Sequence, residues 1–95
     1  MGFSIEKYDL FFEAVLKLKD VEACRMFFED VCTIKELEAV SQRLEVAKLL
    51  SEGKNYQEVS QKTGASTATI CRVNKCLNYG AGGYALVLDE KEEAL

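Results

Sequence analysis

Between Gly53 and Gly80 the chain has the marks of two short helices joined at a glycine. Asn55 followed three residues on by Glu58 has the spacing of a capping box, and Tyr56 and Val59 give the helix it opens an apolar side. Gly64 closes that helix, because the residue just past a helix end commonly takes the left-handed conformation, which glycine adopts without steric cost. Ser66 then offers a hydroxyl to cap the second helix. Ile70, Val73 and Leu77 fall at i, i+3 and i+7, so one side of the second helix is buried while Ala68, Arg72, Lys75 and Tyr79 lie opposite. A pair of helices around a tight glycine turn, the second polar on its outer face, is a helix-turn-helix.

That outer face suits a DNA major groove. Ser66, Thr67, Ala68 and Thr69 are small enough for close backbone approach, and their hydroxyls and methyls match base edges and the thymine methyl. Arg72 and Lys75, one to two turns further on, are placed for phosphates, while Cys71 flanks them as a DNA contact or a redox-sensitive thiol. Gln57, on the first helix of the pair, joins the DNA-binding set. The same pattern also describes a surface helix that packs on its neighbours, or a module that docks on another protein.

The segments QRLEVAKLL (Gln42 to Leu50), TGASTATICRV (Thr63 to Val73) and CLNYG (Cys76 to Gly80), with Tyr84 beyond them, resemble the tryptophan repressor family and, more closely, its YerC/YecD-type TrpR-related branch. Dense matches cover about half the chain. The resemblance implies an all-α, six-helix Trp-repressor-like fold built as an intertwined homodimer, binding a palindromic operator as a transcriptional regulator of the repressor type. Tryptophan repressors hold their ligand between two arginines with help from a threonine before the third helix, and Thr33, Arg43 and Arg72 match those positions. Val73 departs from the pattern. It stands where the repressors have glycine, and its isopropyl group is expected to fill space that an indole ring needs, which disfavours tryptophan as the effector. An amino-acid-like effector of another kind stays open. So do plainer roles: Thr33 as an N-cap, and Arg43 and Arg72 as partners of carboxylates or of DNA phosphate.

At 95 residues the chain fits a single domain, in which association could add a good share of the buried surface. The expected division is a helical dimerisation scaffold over 1–52, a DNA-reading head over 53–80, and a C-terminal helix with an acidic tail over 81–95. Within the scaffold, helices are predicted from Ile5 to Leu18, from an Asp20 cap to Val31, and from a Thr33–Glu36 capping box to Glu52. Tyr8, Phe11, Phe12, Val15, Leu16 and Leu18 give the first a broad apolar face. Cys24 joins Val21, Phe27, Phe28 and Val31 on the second as a small buried hydrophobe, and Leu37, Val40, Leu44 and Ala47 continue the stripe along the third. With Phe3, the phenylalanines are many for so short a chain; they serve a monomer core or, in the preferred reading, one shared between two chains. A last short helix is expected around Tyr84, Leu86, Val87 and Leu88, and Glu90 to Glu93 as a solvated end.

The net charge of −4 runs against nucleic-acid binding, but its distribution does not. From Arg43 to Asn78 six cationic side chains face three carboxylates, a local excess of +3, whereas 1–42 carries −4 and 79–95 carries −3. A basic head on an acidic support orients the protein on a duplex. There is no histidine, and the four cysteines lack the short paired spacing of structural zinc sites, so no metal and no cofactor are expected. No nucleophile with an adjacent base and no phosphate-cradling loop is visible, which excludes the common enzyme classes. Nor is there a long apolar run or a signal-peptide order, and a cytoplasmic protein without membrane contact is expected.

Overall fold

In a computed structural model of the chain, residues 5–88 are described. Their regular structure is entirely helical, as α1 (Ile5–Val15), α2 (Val21–Val31), α3 (Ile34–Ser51), α4 (Tyr56–Thr63), α5 (Thr67–Tyr79) and α6 (Gly83–Leu88). Phe3 and the acidic run from Glu90 lie outside the described residues. The chain divides into two units, Met1–Leu37 and Glu38–Leu95, the division falling inside α3.

In a chain without proline, caps set the helix ends. The amide of Ala23 donates to Asp20 Oδ1 at 2.8 Å to open α2. At the start of α3 the Thr33 amide donates to Glu36 Oε1 at 2.8 Å and the Glu36 amide to Thr33 Oγ1 at 3.1 Å, the reciprocal pair of a capping box. α1 stops three residues short of the expected Leu18. There the amides of Lys17 and Leu18 reach back only three residues, to Ala14 and Val15, so the helix tightens and ends.

Among the described residues the first unit gathers its aromatics but buries none of them. Phe11 stacks on Phe27 with ring centroids 6.0 Å apart, and Phe27 meets Phe28 edge-on at 5.3 Å. Cys24, expected to be buried, is half-buried, and no residue from Glu6 to Leu37 is fully enclosed. Leu10, Leu16 and Met26 are 82%, 83% and 62% exposed. Two amphipathic helices and the start of a third cannot enclose side chains of this size by themselves.

The second unit does close a core. Val46 and Ala47 of α3, Val59 of α4, Ala65 of the turn, and Ile70 and Val73 of α5 are buried together, with Leu49, Leu50, Leu77, Tyr84 and Leu88 packed around them. The inward side of α3 therefore runs through Val46, Ala47, Leu49 and Leu50. Val40 and Leu44, expected on a continuous stripe with Ala47, are 53% and 42% exposed.

Gly64 sits at φ +75°, in the left-handed region, as the C-cap of α4. A Cβ built there meets nothing within 4 Å, so the need for glycine is conformational rather than steric. Gly64→Ala is expected to cost about 1–2 kcal/mol, the penalty of an L-residue in that region, and Gly64→Asn less, since asparagine tolerates it better. Urea unfolding of the two variants checks the order.

Candidate nucleic-acid interface

The reading head is held by its turn. The Glu58 amide donates to Asn55 Oδ1 at 2.9 Å and the Asn55 amide to Glu58 Oε1 at 3.2 Å, which fixes the entry of α4. At its exit the Gly64 amide donates to the Ser60 carbonyl at 2.9 Å. Three further bonds set the angle between α4 and α5. Ser60 Oγ donates to the Ala65 carbonyl at 3.0 Å, the Ala65 amide donates to Thr63 Oγ1 at 3.1 Å, and Gln42 Nε2, from α3, donates to the Thr63 carbonyl at 3.2 Å. Ala65, at 2% exposure, belongs to the core cluster, so the turn is packed against the core as well as hydrogen-bonded.

Sequence reasoning found Gly64 and both caps but missed Gln42, Ser60 and Thr63 as the groups that tie the turn down. A polar side chain on a helix carries no mark of which distant carbonyl it will meet. The one available signal was local: serine and threonine in the last turn of a helix commonly bond to nearby backbone.

Ser66 caps α5, its Oγ accepting from the Thr69 amide at 3.2 Å and donating to Thr69 Oγ1 at 3.2 Å. These two hydroxyls are thus engaged in shaping the helix start, and Thr69 is half-buried. Thr67, Ala68, Cys71, Arg72 and Lys75 are exposed along α5, and Gln57 is exposed on the first turn of α4. Ile70 and Val73 are buried at 0% and 1% exposure, so the two-sided helix expected from the spacing is present. α5 contains no carboxylate. Among the described residues no ion pair engages Arg72 or Lys75; the two that form are Arg25–Glu22 and Lys48–Glu52, at 2.8 and 4.0 Å. Both cations of the outer face stand open to an external anion.

Of the two arginines matched to an effector pocket, one lines a cavity. Arg43, half-buried, lines a cavity of about 500 Å³ with Val40, Leu44, Cys76, Tyr84, Val87 and the glycine-rich turn before α6. Gly80 belongs to that wall, where a Cβ would come within 2.4 Å of the Cys76 carbonyl oxygen. Arg72 does not line the cavity. Neither does Val73, which lies in the core cluster. Thr33 belongs to the other unit, occupied in the capping box of α3.

Among the described residues no helix is long and apolar enough to cross a membrane. No group of three or more histidine, cysteine, aspartate or glutamate side chains there converges on a metal position.

The sequence matches the family model for the Trp repressor protein over residues 6–92. It is 50% identical over 88 residues to the uncharacterized protein YerC of Bacillus subtilis, covering 93% of this chain and 85% of YerC. Among solved structures it is similar to a TrpR-like protein from Eubacterium eligens, at 50% identity and a TM-score of 0.86, over 92% of this chain and 90% of that one. A candidate Trp repressor from Staphylococcus aureus gives the same TM-score of 0.86 at 42% identity, with 96% of each chain covered.

Proposed function

The chain belongs to the Trp repressor protein family, and on that premise we propose that it is a sequence-specific DNA-binding regulator, acting as a homodimer that presents α5 to the major groove and represses the genes it marks. The observation that carries this reading is the outer face of α5. Small side chains at Thr67 and Ala68 lead into two unpaired cations at Arg72 and Lys75, on a helix clamped by its turn and free of carboxylates. Thr67 and Ala68 read base edges, Arg72 and Lys75 hold phosphates, and Gln57 approaches the backbone from α4. Cys71 contributes its thiol beside them.

Support for the dimer comes from residues 6–37, where no side chain is fully enclosed and Leu10, Leu16, Met26 and Ile34 are largely exposed. A second copy supplies the missing cover, and the interlocked helices of two chains share one core. Two α5 helices about 34 Å apart then enter successive grooves on one side of a duplex, and the operator is palindromic. The whole of 1–95 acts as one Trp-repressor-like domain, with 1–52 as scaffold, 53–80 as reading head and 81–95 as C-terminal helix and tail. No catalytic role is assigned to any residue.

A second reading concerns gating. The cavity beside Arg43 combines the apolar side chains of Val40, Leu44 and Val87 with the guanidinium, Tyr84, Cys76 and the turn Gly80–Gly83, a lining suited to a small carboxylate with an apolar body. In this reading an amino-acid-like effector seated there fixes α5 for DNA. Arg72 serves phosphate rather than effector.

Selection of bound duplexes from a random pool, at near-physiological salt and with and without added amino acids, tests both readings. A palindromic motif recovered without additive is the expected result. Enrichment only with an additive establishes the gated form. No enrichment in any arm overturns the DNA reading in favour of α5 as a protein-docking surface.

A further inference from the structure

Among the described residues, one side-chain hydrogen bond joins α3 to the helix-turn-helix: Gln42 Nε2 donates to the Thr63 carbonyl at 3.2 Å, and both residues are half-buried. That carbonyl belongs to the last residue of α4, where a helix leaves its own carbonyls without amide partners, and no backbone amide donates to it. The hydroxyl of Thr63 is engaged within the head, donating to the Val59 carbonyl at 2.7 Å and accepting from the Ala65 amide at 3.1 Å. On the α3 side, Gln42 stands one turn before Val46, on the helical face that runs on through Leu49 and Leu50 into the core. The inner face of α3 is therefore apolar at its far end and ends, toward the turn, in one amide donor.

We infer that Gln42 is a positioning residue for base readout: it sets the pitch of the helix-turn-helix on α3, and through it the sequence selectivity of α5, without touching DNA. Apolar burial is non-directional, so the cluster of Val46, Ala47, Val59, Ile70 and Val73 resists separation of head and α3 more than it resists a small rotation about that contact. A hydrogen bond is directional, and Gln42 applies one about 6 Å along α3 from Val46, far enough from the cluster to stop such a rotation. Ser60 Oγ, donating to the Ala65 carbonyl at 3.0 Å, carries the position of Thr63 through the turn to Thr67 and Ala68, the first residues of α5.

The role in readout rests on the DNA-binding function proposed above, whereas the contact itself does not. Thr67 and Ala68 have short side chains, and the usable range of a hydrogen bond is only about 0.5 Å wide, so base contacts there fail on a small tilt. The long stems of Arg72 and Lys75 follow phosphate through the same tilt. Loss of the Gln42 bond thus separates the two kinds of contact.

Two variants of the full chain test the inference. Gln42→Met keeps the length of the side chain and removes the donor; Gln42→Lys returns a donor of similar reach. Without DNA, the carbonyl-carbon resonance of Thr63 is expected to shift in nuclear magnetic resonance spectra of Gln42→Met and to return toward the parent position in Gln42→Lys. An unmoved resonance in Gln42→Met overturns the contact. Affinity for the operator recovered from a random pool should fall about tenfold in Gln42→Met, the weight of one impaired base contact. Affinity for a random-sequence duplex should stay within about twofold of the parent, with the same salt slope. Gln42→Lys restores the ratio of the two affinities, since its added charge acts on both duplexes alike. Equal losses on both duplexes mean that Gln42 serves stability alone, and overturn the role in readout. A parent protein that binds no duplex sinks the DNA reading and the readout role with it, and the Thr63 resonance still decides the contact.

Discussion

Ile70→Ala will lower the free energy of unfolding by about 2–5 kcal/mol, the range for truncating a fully buried isoleucine. Ile70 is 0% exposed and stands where the helix-turn-helix meets α3, in one cluster with Val46, Ala47, Val59, Ala65 and Val73. So small a core has few neighbours able to move into the space left by the lost atoms. At about 4–8 °C per kcal/mol for a chain of this size, the midpoint of thermal unfolding falls by roughly 8–40 °C. Tyr79→Ala is the comparison, because Tyr79 lies on the same helix but is 84% exposed; it should stay within about 0.5 kcal/mol of the parent. Urea titration at fixed chain concentration measures both. Similar losses from the two substitutions would mean that α5 does not bury its Ile70 side.

The double substitution Arg72→Ala, Lys75→Ala will weaken duplex binding by roughly fiftyfold at about 0.1 M salt and leave the fold intact. Each phosphate contact contributes about 0.9 to the slope of log affinity against log salt, so relative to a 1 M reference it is worth roughly eightfold at 0.1 M. Two lost contacts compound to the larger figure and reduce the slope by about two. Both side chains are exposed and unpaired among the described residues, so removing them strands no buried partner and circular dichroism should not change. Fluorescence anisotropy of a labelled duplex across a salt series gives slope and affinity together. A slope that does not move would show that the cations never touch phosphate and would return α5 to the protein-docking reading.

The helices were legible in the sequence wherever a helix ends on a local device. Asp20, Thr33 with Glu36, Asn55 with Glu58, Gly64 and Ser66 act over three or four residues, and each forms as the spacing predicted. The two faces of α5 were equally legible, since Ile70, Val73 and Leu77 needed only helical periodicity. What spacing did not give were the long-range partners. Gln42 bonds the Thr63 carbonyl across 21 residues, and nothing near either position marks the pair. On α3, Val40, Leu44 and Ala47 share a face by periodicity, yet within one chain only the Val46–Leu50 end packs into the core, because coverage depends on neighbours rather than on the helix itself. Val73, singled out for its size by the resemblance, is buried in the core on the inner side of α5.

The incompletely enclosed first unit has a genetic corollary under the proposed assembly. If residues 6–37 find their cover only in another copy, the part of the chain that recruits a partner is separate in sequence from the part that reads DNA. A subunit with a damaged head, such as the Arg72, Lys75 double variant, would still recruit an intact partner and remove it from service. In a cell expressing both forms equally, random pairing leaves only a minority of assemblies with two competent heads, so lesions in α5 behave as dominant and lesions that abolish pairing as recessive.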